Sequence, residues 1–369
     1  MSQQPVDDPL FEGFQLDRLD LENRVGLSPM TRVSGTSMGK ATDEMAKYYA
    51  KFARGGFSFL ITEGTYPDDA YSQGYPNQPG LATDEQAASW EDVVDAVHAE
   101  GAPILAQLMH AGPLVQANRF TDTPTGPSNV PPKGDILPAY GTNRDEYATP
   151  RAMTREEIEE TIGGFVEAAK RAENAGFSGV EIHGANGYLL DAFLTEYTND
   201  RGDEYGGSAE NRVRFPAEVV SAVTEALPEE FVVGIRNSQS KINDPDYRWP
   251  GGEAEAETIF SELSEAGVDY LHVTEEDITT PAFDSGPTLA ELAARYGDVP
   301  VITNGGLTDP AVARDVIETD GIELITLATG ALANPDWPNR VTNGQEIEAF
   351  DPEAFLDPDA SIDEFEVPE

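Results

Sequence analysis

The chain has 369 residues, with 68 Asp or Glu against 23 Lys or Arg, a formal charge of -45, and no cysteine. The missing cysteines exclude disulfides, thiolate catalysis and cysteine-held iron–sulfur clusters. Phosphate-rich partners need basic patches, and the sequence has none, so neither nucleic acid nor an anionic membrane is an expected partner. No apolar run approaches the roughly 20 residues of a membrane span. The stretch from Met1 to Gln15 has no basic and apolar leader pattern. A cytoplasmic location is therefore expected. Most of the acidic excess is spread over the chain, and only six basic residues are Lys. Such a surface repels itself at ordinary ionic strength. In molar salt the Debye length falls to about 3 Å and the penalty fades, so the composition points to a salt-loving organism.

Eight apolar segments recur along the chain, at 23–29, 57–63, 103–108, 179–183, 232–236, 270–274, 299–304 and 322–328. Amphipathic stretches at 84–100, 154–175, 209–227, 252–266 and 309–319 lie between them and repeat near 3.6 residues. One opens with a capping box, Thr154 to Glu157. Alternating strands and helices predict a parallel sheet. Eight units in this length predict an α/β fold, a single (β/α)8 TIM barrel with its site at the C-terminal strand ends. A doubly wound sheet would place a Gly-x-Gly turn after the first strand. Ser28-Pro29-Met30-Thr31-Arg32 stands there instead. A long loop without periodicity, 112–150, follows the third strand and reads as a functional lid. Residues 1–345 are expected to form the barrel domain and 346–369 an acidic C-terminal tail, whose last twenty residues or so read as disordered.

The run from Gly179 to Asp191 starts as a strand and ends as a helix, which places His183, Asn186 and Tyr188 at the fourth strand's outer end. Two donors across a glycine turn can hold one oxygen as negative charge builds on it. A phenol beside them can give a proton to carbon. The plainer alternative is a buried histidine next to a tyrosine that starts a helix. Glu181 and Glu275 offer a second alternative, a flavin-free barrel hydrolase or lyase. Glu181 lies two residues inside its strand, however, and reads as a buried, paired carboxylate. His110 reads equally as a site or a packing residue. His98 and His272 have no metal-ligand spacing, and no metal site is expected.

Several motifs together resemble the old yellow enzyme family. They are Asn23–Arg32, Ile61–Thr65, Gln107–Gly112, the His183–Leu189 run, Asn199–Gly207, Gly234–Arg236 and Asn334–Asp336. The resemblance implies an FMN-dependent ene-reductase. NADH or NADPH would reduce the flavin, and an α,β-unsaturated carbonyl or nitro compound would be the small-molecule substrate, with a homo-oligomer compatible. By the same resemblance His183 and Asn186 bind the substrate oxygen and Tyr188 is the proton donor. Ser28, Pro29, Met30, Thr31, Gly64 and Gln107 would contact the flavin ring, and Arg236 its N1 and O2 edge. Asn304, Gly305, Gly306, Ala328 and Thr329 would hold the phosphate end. Thr329 stands where relatives usually carry an arginine, five residues before Asn334. A third alternative is a small-molecule-binding barrel that has lost tight FMN affinity.

Overall fold

A computed structural model describes residues 8–142 and 144–367. Eight parallel strands close into a barrel: β1 (Val25–Leu27), β2 (Phe59–Ile61), β3 (Ile104–Leu108), β4 (Gly179–Asn186), β5 (Val232–Lys241), β6 (Tyr270–Thr274), β7 (Val301–Asn304) and β8 (Ile322–Leu327). Their spatial order follows the sequence, and β8 pairs with β1 to complete the ring. The strands are almost wholly buried, because the closed sheet packs inward on itself and outward on helices.

The floor of the barrel is apolar. A hairpin, Phe14–Leu16 with Leu19–Leu21, brings Leu16 and Leu21 against Phe59, Leu105, Val232 and Tyr270. A Cβ on Gly234 would fall about 2.1 Å from the Tyr270 ring, so only glycine admits that ring. The interior becomes polar toward the top. Glu181 accepts from Gln107 Nε2 (2.8 Å), His272 Nδ1 (2.7 Å) and Tyr270 Oη (3.1 Å), while His272 Nε2 meets Thr326 Oγ1 (3.0 Å). The predicted buried, paired carboxylate is therefore present.

Helix Arg155–Asn174 has the predicted capping box at Thr154, and Thr83 and Thr288 start the helices Asp84–His98 and Leu289–Tyr296 in the same way. Each such cap stabilises by about 1 kcal/mol. Three elements differ from expectation: β4, β5 and the helix predicted over 209–227. β4 and β5 run on to Asn186 and Lys241, because backbone pairing continues through polar residues that apolar periodicity does not mark. The stretch predicted as one helix over 209–227 divides at Val213 into Ala209–Arg212 and Arg214–Ala226. The loop 112–150 is pinned by Gln116, whose carboxamide bonds Leu137 N (2.7 Å), Leu137 O (2.9 Å) and Gly141 O (3.2 Å).

The disordered tail is corrected. Residues 346–367 return to the barrel mouth, with Ala360, Ile362 and Glu366 buried, because Arg32 supplies a buried countercharge to Glu366. Residues 368–369 and 1–7 lie outside the described residues. Among the described residues no helix is long and apolar enough to cross a membrane.

Candidate active site

A cavity of about 230 Å³ opens at the C-terminal ends of the strands. Pro29, Met30 and Thr31 line it after β1, Gly64 after β2 and Gln107 from β3. His183, Asn186 and Tyr188 line the β4 side, Arg236 the β5 wall, and Ala328 and Thr329 the end of β8. Eleven residues separated by up to 300 positions in the chain thus meet in one place.

His183 is buried, and its Nδ1 accepts from Ala185 N (3.3 Å). Burial, reinforced by the Arg236 charge, pushes its pKa down to about 3. The ring is therefore neutral with its proton on Nε2, available to the cavity. Asn186 sits in the left-handed region (φ 63°). Its N–H bonds Ser238 Oγ (2.9 Å), and the next N–H, of Gly187, bonds Asp191 Oδ2 (2.6 Å). Asp191 in turn accepts from Lys241 Nζ (2.6 Å), with both side chains buried. Tyr188 stands just before the helix Leu189–Leu194 and packs edge-on against His183, with ring centroids 5.0 Å apart. Its hydroxyl bonds that of Tyr75, and burial pushes both phenols well above their ordinary pKa.

Arg236 is buried, and burial lowers its pKa to about 10, which leaves it charged at neutral pH. Its Nη2 reaches Ser28 Oγ, Thr274 Oγ1 and Asn304 Oδ1, each at 3.1 Å. All three are neutral. Its Nε has no hydrogen-bond partner among the described residues.

Ser28 and Asn304 do not line the cavity; they brace Arg236 from behind, and Asn304 also donates to Thr326 O (2.8 Å). Gly305 and Gly306 lie outside the cavity wall as well. Gly305 has φ 136°, and a Cβ there would fall about 2.1 Å from the Glu275 carbonyl, so glycine is required by backbone packing. His110 is buried and does not line the cavity; its Nδ1 accepts from Gly112 N (3.0 Å). Glu275 is engaged by Gln239 N (2.6 Å) and Ser240 N (3.2 Å), away from the cavity. The two carboxylates of a hydrolase are therefore both committed elsewhere. The sequence reading missed Tyr75, Tyr140 and Lys241. Only the rarity of lysine in so acidic a chain could have flagged Lys241.

The NADH:flavin oxidoreductase / NADH oxidase family matches residues 9–348. The chain belongs to this family. It is 33% identical over 357 residues to NADH oxidase of Thermoanaerobacter brockii, covering 92% of this chain but 51% of that relative. It is 33% identical to 12-oxophytodienoate reductase 2 of Arabidopsis thaliana over 96% of this chain and 94% of that one. The structure of morphinone reductase in complex with tetrahydroNAD superposes with a TM-score of 0.80 and 32% identity, covering 93% of each chain.

As a member, this protein is an FMN-dependent oxidoreductase that uses NADH or NADPH. The cavity fits the flavin ring on its own chemistry. It presents a buried guanidinium with no carboxylate hydrogen-bonded to it and a free Nε–H, which suits an anionic ring edge. The phosphate end is less complete. Among the described residues Arg32 and Arg236 are the only cations of the cavity wall, and Asp277 lies beside Gly306.

Proposed function

We propose that this protein reduces the C=C bond of α,β-unsaturated carbonyl or nitro compounds. FMN held in this cavity would supply the hydride chemistry between NADH or NADPH and the substrate β-carbon. The observation that carries the reading is His183, its Nδ1 accepting from Ala185 N and so leaving Nε2 to the cavity, beside Asn186 and Tyr188 in one cavity wall. His183 Nε2–H and the Asn186 amide donate to the carbonyl or nitro oxygen and stabilise the charge that gathers there. Tyr188 gives its phenolic proton to the α-carbon. Its raised pKa keeps that proton in place until a strongly basic carbon forms beside it.

We assign Thr31, Gly64 and Gln107 to the ring edges and Arg236 to the edge that gains negative charge. Ala328 and Thr329 face the phosphate end, with Gly305 and Gly306 behind them. The acidic surface is an adaptation to a salt-rich cytoplasm, supported by the -45 charge and the scarcity of lysine. Tyr188→Phe tests the reading in single-turnover mixing at high salt. Flavin reduction by nicotinamide should keep its rate, while alkene reduction slows by roughly 10²-fold or more. Equal loss of both half-reactions would refute the role of Tyr188. A colourless protein that FMN cannot reconstitute would refute the whole assignment.

A further inference from the structure

The C-terminal segment crosses the cavity from one anchored end to another. At its start, Asn334 is fully buried and grips Glu348 at both backbone groups, accepting from its N–H (2.8 Å) and donating to its carbonyl (2.9 Å). At its far end, Arg32 places all five N–H groups. Two go to the two Glu366 oxygens (2.7 and 2.5 Å), one to Ala360 O (2.8 Å), one to Ser361 O (3.0 Å) and one to Tyr48 Oη (3.1 Å). Ser34 Oγ accepts from Ile362 N (2.7 Å), and Ala360 N reaches over to Ala139 O (2.7 Å) in the long loop. Between the two anchors, Phe350 and Leu356 wall the cavity. Phe350 stacks on Phe355, and Phe355 packs edge-on against Phe365, with centroids 5.4 and 5.3 Å apart.

The anchors fix where the segment lies. Asn334 follows the short helix after β8, and Arg32 follows β1, which is the neighbour of β8 in the ring. The strap therefore covers the β8–β1 side, and β4, with His183 and Asn186, stands across the barrel. Its charge is unfavourable for docking. Residues 349–366 carry seven carboxylates and no Lys or Arg, on a chain that is itself strongly negative. Among the described residues only Glu366 of the seven forms an ion pair, and that pair is buried on both sides.

We infer that residues 349–366 are a hinged strap, latched by Arg32 and Glu366, whose opening is the path by which flavin enters and leaves the cavity. This rests on the flavin reading above. The latch governs cofactor exchange and leaves the chemistry on the β4 side alone. Unlatching strands a buried guanidinium and exposes the apolar wall, so the closed form prevails. Low salt weakens it, because the other six carboxylates then repel the body more strongly.

The test uses full-length holoenzyme at high salt, as wild type and with Glu366→Ala and Glu366→Gln. Flavin release is followed after dilution by the fluorescence of free FMN. Strap opening is followed by cleavage with a glutamate-specific protease, with the cut sites located by mass. Glu366→Ala should release FMN roughly tenfold faster or more, as expected from breaking a buried pair. It should be cut after Glu353 and Glu364, and flavin reduction by NADH should keep its rate. Glu366→Gln, which preserves shape, should fall between it and wild type and serves where the alanine variant does not fold. Cleavage within the strap with unchanged FMN release overturns the inference, as does release unchanged with no cleavage. A wild-type chain that takes up no flavin instead overturns the reading beneath it.

Discussion

Lys241→Met removes one half of the buried pair that supports the Asn186 turn. The ammonium lies 2.6 Å from Asp191 Oδ1, and neither side chain exceeds 1% exposure. Burial raises the Asp191 pKa to about 6 even with Lys241 opposing it. Without the lysine the carboxylate is an uncompensated buried charge at neutral pH, which costs about 3–5 kcal/mol. The carboxylate can escape that cost by protonating. Its folded pKa lies above the unfolded value of about 3.9. The stability contributed by Asp191 is therefore fully present below about pH 4 and is lost as pH rises through about 6. Removal of Lys241 moves the upper limit higher, so the deficit of the variant should shrink as the pH is lowered from 7.5 toward 5. The assay is urea unfolding at fixed high salt and saturating FMN, at both pH values, with Asp191→Asn/Lys241→Met as the companion. The double variant should recover most of the loss, since the asparagine Oδ1 can still accept from Gly187 N. A single variant within about 1 kcal/mol of wild type at pH 7.5, or a double variant no better than the single, would refute the argument.

The pKa of about 3 for His183 predicts that alkene reduction shows no protonation of this ring between pH 5 and 9. An acid limb near pH 6.5 that vanishes in His183→Asn would show the ring to be ordinary. Because the folded value lies below the unfolded one, His183 also contributes stability that is lost as pH falls through about 6.5 toward 3. Arg236→Met should lower the flavin reduction potential, by about 30 mV for each 1.4 kcal/mol of lost anion stabilisation. Potentiometric titration with reference dyes measures this, and an unchanged potential would remove Arg236 from the ring edge. Gly305→Ala should destabilise the fold by roughly 2–4 kcal/mol through the clash with the Glu275 carbonyl and its positive φ, as read by thermal melting of the holoenzyme.

The barrel was legible because its strands are short apolar runs separated by capped helices at even spacing, a pattern that survives an extreme charge. The β4 site was legible because His183, Asn186 and Tyr188 are local in sequence and straddle a strand-to-helix switch. What lay hidden depended on distance. Ser28 and Asn304 looked like ligand contacts but hydrogen-bond Arg236, across 208 and 68 positions, relations that no local pattern encodes. The tail looked like one more acidic run, because the feature that folds it, a single glutamate opposite a buried arginine 334 residues away, is invisible to composition. Lys241 sits where β5 extends beyond its apolar segment, so its pairing with Asp191 could be seen only once the strand register was known.

The placement of the few buried cations bears directly on function. Arg32, Arg212, Arg236 and Lys241 are buried. Arg32 is bonded to Glu366, Arg212 to Glu255 and Lys241 to Asp191. Carboxylates outnumber cations nearly threefold in this chain, so a partner for a fourth cation would be easy to supply. Arg236 nonetheless has only two hydroxyls and an amide around Nη2. Glu181, the nearby carboxylate, has its bonds taken by Gln107, His272 and Tyr270. A desolvated guanidinium without a bonded counterion is costly in a fold that needs only stability. It is useful in one that must stabilise negative charge arriving with a ligand, since any resident carboxylate would cancel the field. The same reasoning separates Arg236 from Arg32. Both line the cavity, but Arg32 has spent every N–H, four on the strap and one on Tyr48, and is structural, whereas Arg236 keeps its Nε free for what binds there.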